Sequence, residues 1–182
     1  TSLRIDKVIL MPVNIHPFAK KLTDSKHRLA MAKLLEEPHS VKASRGKKNI
    51  EVSDLELKKK STSYSIDTLK ALKQKFPQDN FYWIIGSDNL SSFSKWKDWQ
   101  KIITDFGLII IPRSTYTDIE EEMKKFFGNI DFKNVVILKI KDFPRIDISS
   151  SEIKERIKEG KPITNLVPER IENYIIQHRL YL

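Results

Sequence analysis

Cysteine is absent from the 182 residues, which excludes a disulfide framework, a thiolate nucleophile and any cysteine-ligated zinc or iron–sulfur centre. Glycine is scarce, at five residues. None of them builds a G-x-x-x-x-G-K-[ST] loop, a G-x-G-x-x-G fingerprint or a G-x-S-x-G elbow, so these residues supply no glycine-rich phosphate cradle and no elbow serine. The four histidines, His16, His27, His39 and His178, are too scattered for a local zinc motif, and neither HxGH nor HExxH occurs; no metal site is expected. No apolar run approaches the roughly 18–20 residues of a membrane span, and no signal-peptide pattern opens the chain. A soluble, cytoplasmic protein is the expectation. What is present is ordinary in bulk: 40% apolar residues and a length suited to one domain with a sizeable core. The net charge of +9 points to an anionic partner without choosing among nucleic acid, membrane and phosphorylated metabolites. The first residue is Thr1, not Met, so the numbering is expected to begin inside a longer protein.

Apolar periodicity predicts alternating strands and helices. Val8 to Met11 is a short apolar run, the pattern of a strand buried on both faces. Asp24-Ser25 is a cap signal for a helix carrying Leu29, Met31, Leu34 and Leu35, stopped by Pro38. Ile50, Val52, Leu55 and Leu57 predict a second strand with an irregularity in its middle. Ser65 then opens a helix with Ile66, Leu69, Leu72 and Phe76 at helical spacing. Phe81 to Ile85 reads as a strand broken by Gly86, and Leu90, Phe93, Trp96 and Trp99, followed by Ile102 and Ile103, as one helix. Strands over Leu108–Ile111 and Val135–Ile140 flank a helix over Ile119–Phe127. Helices over Ser150–Glu159 and Pro168–His178 close the chain, with Pro168 in a first helical turn. This alternation implies a doubly wound α/β domain: a mostly parallel sheet with helices on both faces. Such sheets bind ligands beyond the carboxyl ends of their strands. The rule selects Pro12–Lys21, Ser61–Thr68, Gly86–Asp88, Pro112–Arg113 and Asp147–Ser151.

Those loops carry few chemical groups, and each has a plain alternative. Ser149, Ser150 and Lys154 stand at a helix start, where free N–H groups and the macrodipole can hold a phosphate; equally, a serine N-cap and a solvated lysine explain them. Asp88 after Gly86 can accept from ribose hydroxyls, or can cap the next helix. Trp96 and Trp99 offer an indole for stacking on a flat heteroaromatic ring, or are core. Arg113 can pair with phosphate or be solvated. His27, near Asp24 and Arg28, reads as a surface or capping residue before a catalyst.

Taken together, the loops resemble those of bacterial nicotinate mononucleotide adenylyltransferase, an enzyme family of NAD biosynthesis. The stretch Ile9 to Lys21 is similar to its strand and Pro-rich basic loop, and Asp24 to Met31 to its helix opening with an HR pair. Ser63-Tyr64-Ser65-Ile66-Asp67-Thr68-Leu69 resembles SYT-x-DT-L. Phe81 to Asp88 with Lys95-Trp96 resembles IIGxD followed by KW. Ile111-Pro112-Arg113 is similar to an RPG-type turn, Ile148 to Lys154 to the ISST-x-IR box, and Leu166 to Tyr181 to the closing helix. The set runs in the family's order along nearly the whole chain. The resemblance implies a Rossmann-like nucleotidyltransferase: a single domain over 1–182, N-terminally truncated, whose portion 145–182 is helical and carries the serine box. The family's first strand, its GGxFDPxHxGH loop and the following helix, on the order of 25–30 residues, have no counterpart here. The catalytic histidines are therefore unassigned. Lys154 stands where the box has arginine, keeping the charge but not the planar fork. Phe18 stands where the family usually has histidine, with His16 nearby.

The resemblance further implies that ATP and nicotinate mononucleotide give deamido-NAD and pyrophosphate, with Mg²⁺ accompanying ATP. Trp96 would stack on the pyridine ring, and N–H groups near Tyr64 and Ser65 would receive the ring carboxylate. Asp88 would hold the ribose, and Lys20 or Lys21 with Arg28 would reach the mononucleotide phosphate. Arg113, Ser149, Ser150 and Lys154 would serve ATP. Because a helix N-terminus favours an anion, the acid form is expected over the amide. A homo-oligomer is compatible, and neither nucleic acid nor membrane is expected as a partner. Three rivals stand beside this expectation. One is another adenylyltransferase of the same scaffold, acting on nicotinamide mononucleotide or pantetheine phosphate. The others are a basic nucleic-acid-binding domain, which would want a Lys/Arg stripe interleaved with exposed aromatics, and an inert fragment with an exposed strand edge.

Overall fold

A computed structural model describes residues 4–15, 17, 22–36, 50–113, 118–128, 130–138 and 148–182. In chain order the elements are β1 (Val8–Leu10), α1 (Ser25–Leu34), β2 (Ile50–Val52), α2 (Ser65–Lys75), β3 (Trp83–Gly86), α3 (Leu90–Phe93), α4 (Trp99–Asp105), β4 (Leu108–Ile111), α5 (Ile119–Phe127), β5 (Val135–Ile137), α6 (Ser150–Lys158) and α7 (Glu169–Gln177). Every strand pairing among the described residues is parallel. With helices between successive strands, this is the α/β class the periodicity implied. The chain divides into two compact units, Thr62–Asp147 and Thr1–Ser61 with Ile148–Leu182.

In the unit Thr62–Asp147 the sheet order is β3-β4-β5. Trp83 lies opposite Leu108, Gly86 opposite Ile111, and Leu108 opposite Val135. Leu108 and Ile110 are fully buried, as a central parallel strand requires. Ile66 and Leu69 from α2, Phe93 from α3 and Ile102 and Ile103 from α4 join them in one core. β3 is an edge of this sheet, and its Ile84 is 42% exposed. In the other unit β1 pairs with β2, Val8 opposite Ile50. Its core is Ile163, Ile171, Ile175 and Leu180, with Met31, Leu34 and Leu35 packed against it.

The structure departs from expectation at several places, the strand expected over Phe81–Ile85 running instead over Trp83–Gly86 with Gly86 paired to Ile111. The second strand ends at Val52 rather than continuing through Leu57. Ser53 N–H still donates to Leu10 O at 2.9 Å, but the chain then turns, with Lys58 N–H on Asp54 O and the two side chains 2.9 Å apart. The strand after α5 ends at Ile137, with 139 and 140 outside the described residues. The helix predicted over Leu90–Ile103 is two helices. Asp98 sits between them in the left-handed region (φ 49°), so Trp96 lies in a turn. Pro168 is the N-cap of α7 rather than part of its first turn; its ψ of 139° is extended. Among the described residues no helix is long and apolar enough to cross a membrane.

Candidate active site

The parallel register places the ends of β3 and β4 side by side, and the residues just beyond them meet. Ser87, fully buried, accepts the Arg113 N–H at 2.9 Å through Oγ. Arg113 Nε stands 3.3 Å from Asp88 Oδ1. Both side chains are about half exposed, so the pair faces solvent where a ligand can reach it. Asp88 caps nothing: the N-cap of α3 is Asn89, without a side-chain cap bond. Gly86 is the condition of this geometry, since a Cβ there would overlap Asp88 Oδ1 and come within 3.1 Å of Arg113 Nε. A carboxylate and a guanidinium assigned by resemblance to two different substrates are thus each other's partners.

The same unit presents the start of α2. Tyr64 is the N-cap, extended at φ −105°, with no side-chain cap bond, and Ser65 is the first helical residue. The Asp67 and Thr68 N–H groups both donate to Tyr64 O, and the first N–H group of the helix, at Ser65, has no acceptor within the helix. Trp96, in its turn between α3 and α4, is half-buried with its ring 5.1 Å from that of Phe93. Among the described residues its Nε1 is buried without a partner, as is Ser63 Oγ. Lys97 joins the Trp96 turn to α2 by donating to Asp67, and this bond raises its ammonium pKa above the ordinary lysine value. Motif comparison assigned no role to Lys97, Asp67, Ser63 or Ser87. An acid in a first helical turn and a lysine beside an indole were visible as types, but their meeting depends on the break at Asp98.

The unit Thr1–Ser61 with Ile148–Leu182 holds the remaining candidates. Asp24 caps α1, accepting from Lys26 N–H at 2.8 Å. Arg28 is half-buried and donates from Nε to Thr23 O at 2.8 Å; burial lowers its pKa, with Asp24 and Tyr181 opposing. His27 Nδ1 stands 3.0 Å from the Tyr174 hydroxyl, and its ring 5.2 Å from that of His178. That is a packing role between α1 and α7. Ser149 is the N-cap of α6 and accepts the Glu152 N–H at 3.1 Å, Ser150 opens the helix exposed, and Lys154 holds its ammonium 5.2 Å from the Tyr181 ring centre. Both sequence accounts of Ser149 are therefore alive: it is a cap, at a terminus that still offers donors. Lys20 and Lys21, with His16 and Phe18, lie outside the described residues. Among those described, no three His, Asp or Glu groups gather as a metal site.

Comparison with known proteins bears on the whole arrangement. A family profile described as Cytidylyltransferase-like matches residues 2–156. A probable nicotinate-nucleotide adenylyltransferase of Dictyoglomus thermophilum is 36% identical over 98% of this chain and 86% of its own length. Another of that description, from Methylacidiphilum infernorum, is 31% identical over 100% of this chain and 80% of its own. Among solved structures, Plasmodium falciparum nicotinic acid mononucleotide adenylyltransferase complexed with NaAD superposes with a TM-score of 0.75, covering 97% of this chain and 82% of that one at 23% identity. At that identity the likeness speaks to fold. The order of motifs, the parallel α/β architecture and the identity to its relatives agree, and the chain belongs to the nicotinate-nucleotide adenylyltransferase family of cytidylyltransferase-like proteins.

Proposed function

We propose that this chain joins ATP and nicotinate mononucleotide to give nicotinate adenine dinucleotide and pyrophosphate, a step of NAD biosynthesis. An oxygen of the mononucleotide 5′-phosphate attacks the α-phosphorus of ATP in line. The bond from that phosphorus to the bridging oxygen breaks, and pyrophosphate leaves with the electron pair. No protein nucleophile is needed, so the work is positioning and neutralising phosphate charge. Mg²⁺ would accompany ATP and supply further neutralisation of phosphate charge.

The observation that carries the reading is the uncapped start of α2 joined to the Trp96 turn by Lys97, in the unit that also aims Asp88 and Arg113 beyond the strand ends. Trp96 offers an indole face to the pyridine ring, the N–H groups at Tyr64 and Ser65 receive its carboxylate, and Asp88 accepts from the ribose hydroxyls. Arg113 serves the ATP phosphates. In the other unit Arg28, with Lys20 or Lys21, is the mononucleotide phosphate ligand, and Ser149, Ser150 and Lys154 are the ATP ligands. Melting temperature against added mononucleotide tests the assignment. At about 100 times its dissociation constant the acid form is expected to stabilise the fold by about 2.7 kcal/mol, with a smaller effect from the amide form. A flat response to both, or a larger one to the amide, removes the substrate assignment.

A further inference from the structure

Two buried side-chain polar atoms lack a hydrogen-bond partner among the described residues, Ser63 Oγ and Trp96 Nε1. Ser63 directly precedes the N-cap of α2, and Trp96 directly precedes Lys97. Lys97 ties these two places together. Its ammonium donates to Asp67 Oδ2 at 2.8 Å and Oδ1 at 3.1 Å, and lies 5.0 Å from the centre of the Tyr64 ring. The neighbouring carboxylate, Asp98, has lysines of its own, Lys70 at 3.8 Å and Lys101 at 3.7 Å.

Asp67 is an acid in the first turn of an 11-residue helix. There it complements the positive end of the macrodipole, and for the same reason it repels any second anion brought to that end. A ring carboxylate received by the leading N–H groups of α2 is such an anion. A carboxamide carries no net charge, so Asp67 does not repel it. An ammonium chelated by the Asp67 carboxylate cancels the repulsion where it arises.

We infer that Lys97 is a specificity-determining residue: by neutralising Asp67 it lets the start of α2 accept a carboxylate, and so favours the acid mononucleotide over its amide. The inference rests on the adenylyltransferase reading above. Because the Lys97 and Asp67 side chains are 45% and 39% exposed, solvent screens the effect and its size is modest.

Calorimetric titration of the whole chain with nicotinate mononucleotide and with nicotinamide mononucleotide tests it. The wild type is expected to bind the acid more tightly. Lys97→Met is expected to lower the acid-to-amide affinity ratio about two- to fivefold, through weaker acid binding. Lys97→Arg keeps the cation and is expected to keep the ratio. Removing both charges, in Asp67→Asn with Lys97→Met, is expected to recover most of it, which loss of packing alone would not do. An unchanged ratio in Lys97→Met overturns the inference while leaving the function standing, as does a double variant that stays at the single variant's ratio. A wild type that binds neither form removes the underlying reading, and this inference with it. Thermal melts of each variant establish that the fold is retained.

Discussion

Ser87 shows how one small side chain holds two loops in register. Parallel pairing sets Gly86 opposite Ile111, which brings Ser87, directly after β3, within hydrogen-bond reach of Arg113, two residues after β4. A buried hydroxyl then accepts the Arg113 N–H, and Arg113 is left aimed at Asp88. Ser87→Ala is expected to cost about 1 kcal/mol, because the Arg113 N–H loses its acceptor in a part-buried position. Urea unfolding measures that cost, and an unchanged midpoint would mean the bond contributes nothing. At this scale Asp88, Trp96 and Arg113 were recognisable from residue type and loop position. The ion pair between Asp88 and Arg113 was not, since 24 intervening residues separate them in the chain and only strand pairing makes them neighbours. The pairing of Lys97 with Asp67 is illegible in the sequence for the same reason: each has an ordinary solvated explanation until the other is placed beside it.

Helix ends are where element and ligand compete for the same donors. Ser149 caps α6 by accepting from Glu152 N–H, and the terminus it caps is the proposed phosphate site. Ser149→Ala is expected to lower stability by about 1 kcal/mol. Ser149→Asp is expected to keep that stability, since a carboxylate accepts the same N–H, yet to weaken ATP binding by placing an anion against phosphate. Melting curves with and without ATP separate the two roles; equal ATP response in the wild type and the Asp variant would leave Ser149 a cap only. Element existence was legible from periodicity, because apolar spacing reports which face is buried. The predicted helix over Leu90–Ile103 failed at Asp98 because threefold spacing continued through a break. Phe93, Trp96 and Trp99 all face the core, and a turn with one left-handed residue serves them as well as a continuous helix would.

Among the described residues each compact unit buries an apolar core of its own. Phe93 is the largest fully buried side chain among the described residues, packed against Trp96, Trp99 and Phe127. Phe93→Ala is expected to cost about 3–5 kcal/mol, a large part of a stability of roughly 5–15 kcal/mol. It is also expected to weaken binding of nicotinate mononucleotide, because the Trp96 ring rests on Phe93; urea unfolding and titration of the same variant check both. Tight binding with a lowered midpoint would place Trp96 outside the ring site. The α/β class and the family followed from the sequence by itself. Apolar period, helix punctuation and motif order are local properties, readable from residues a few positions apart. Tertiary structure alone decided which charges meet: Arg113 with Asp88, Lys97 with Asp67, Lys154 with the Tyr181 ring. Electrostatic partnership depends on distance in space, and strand pairing and the turn at Asp98 set those distances.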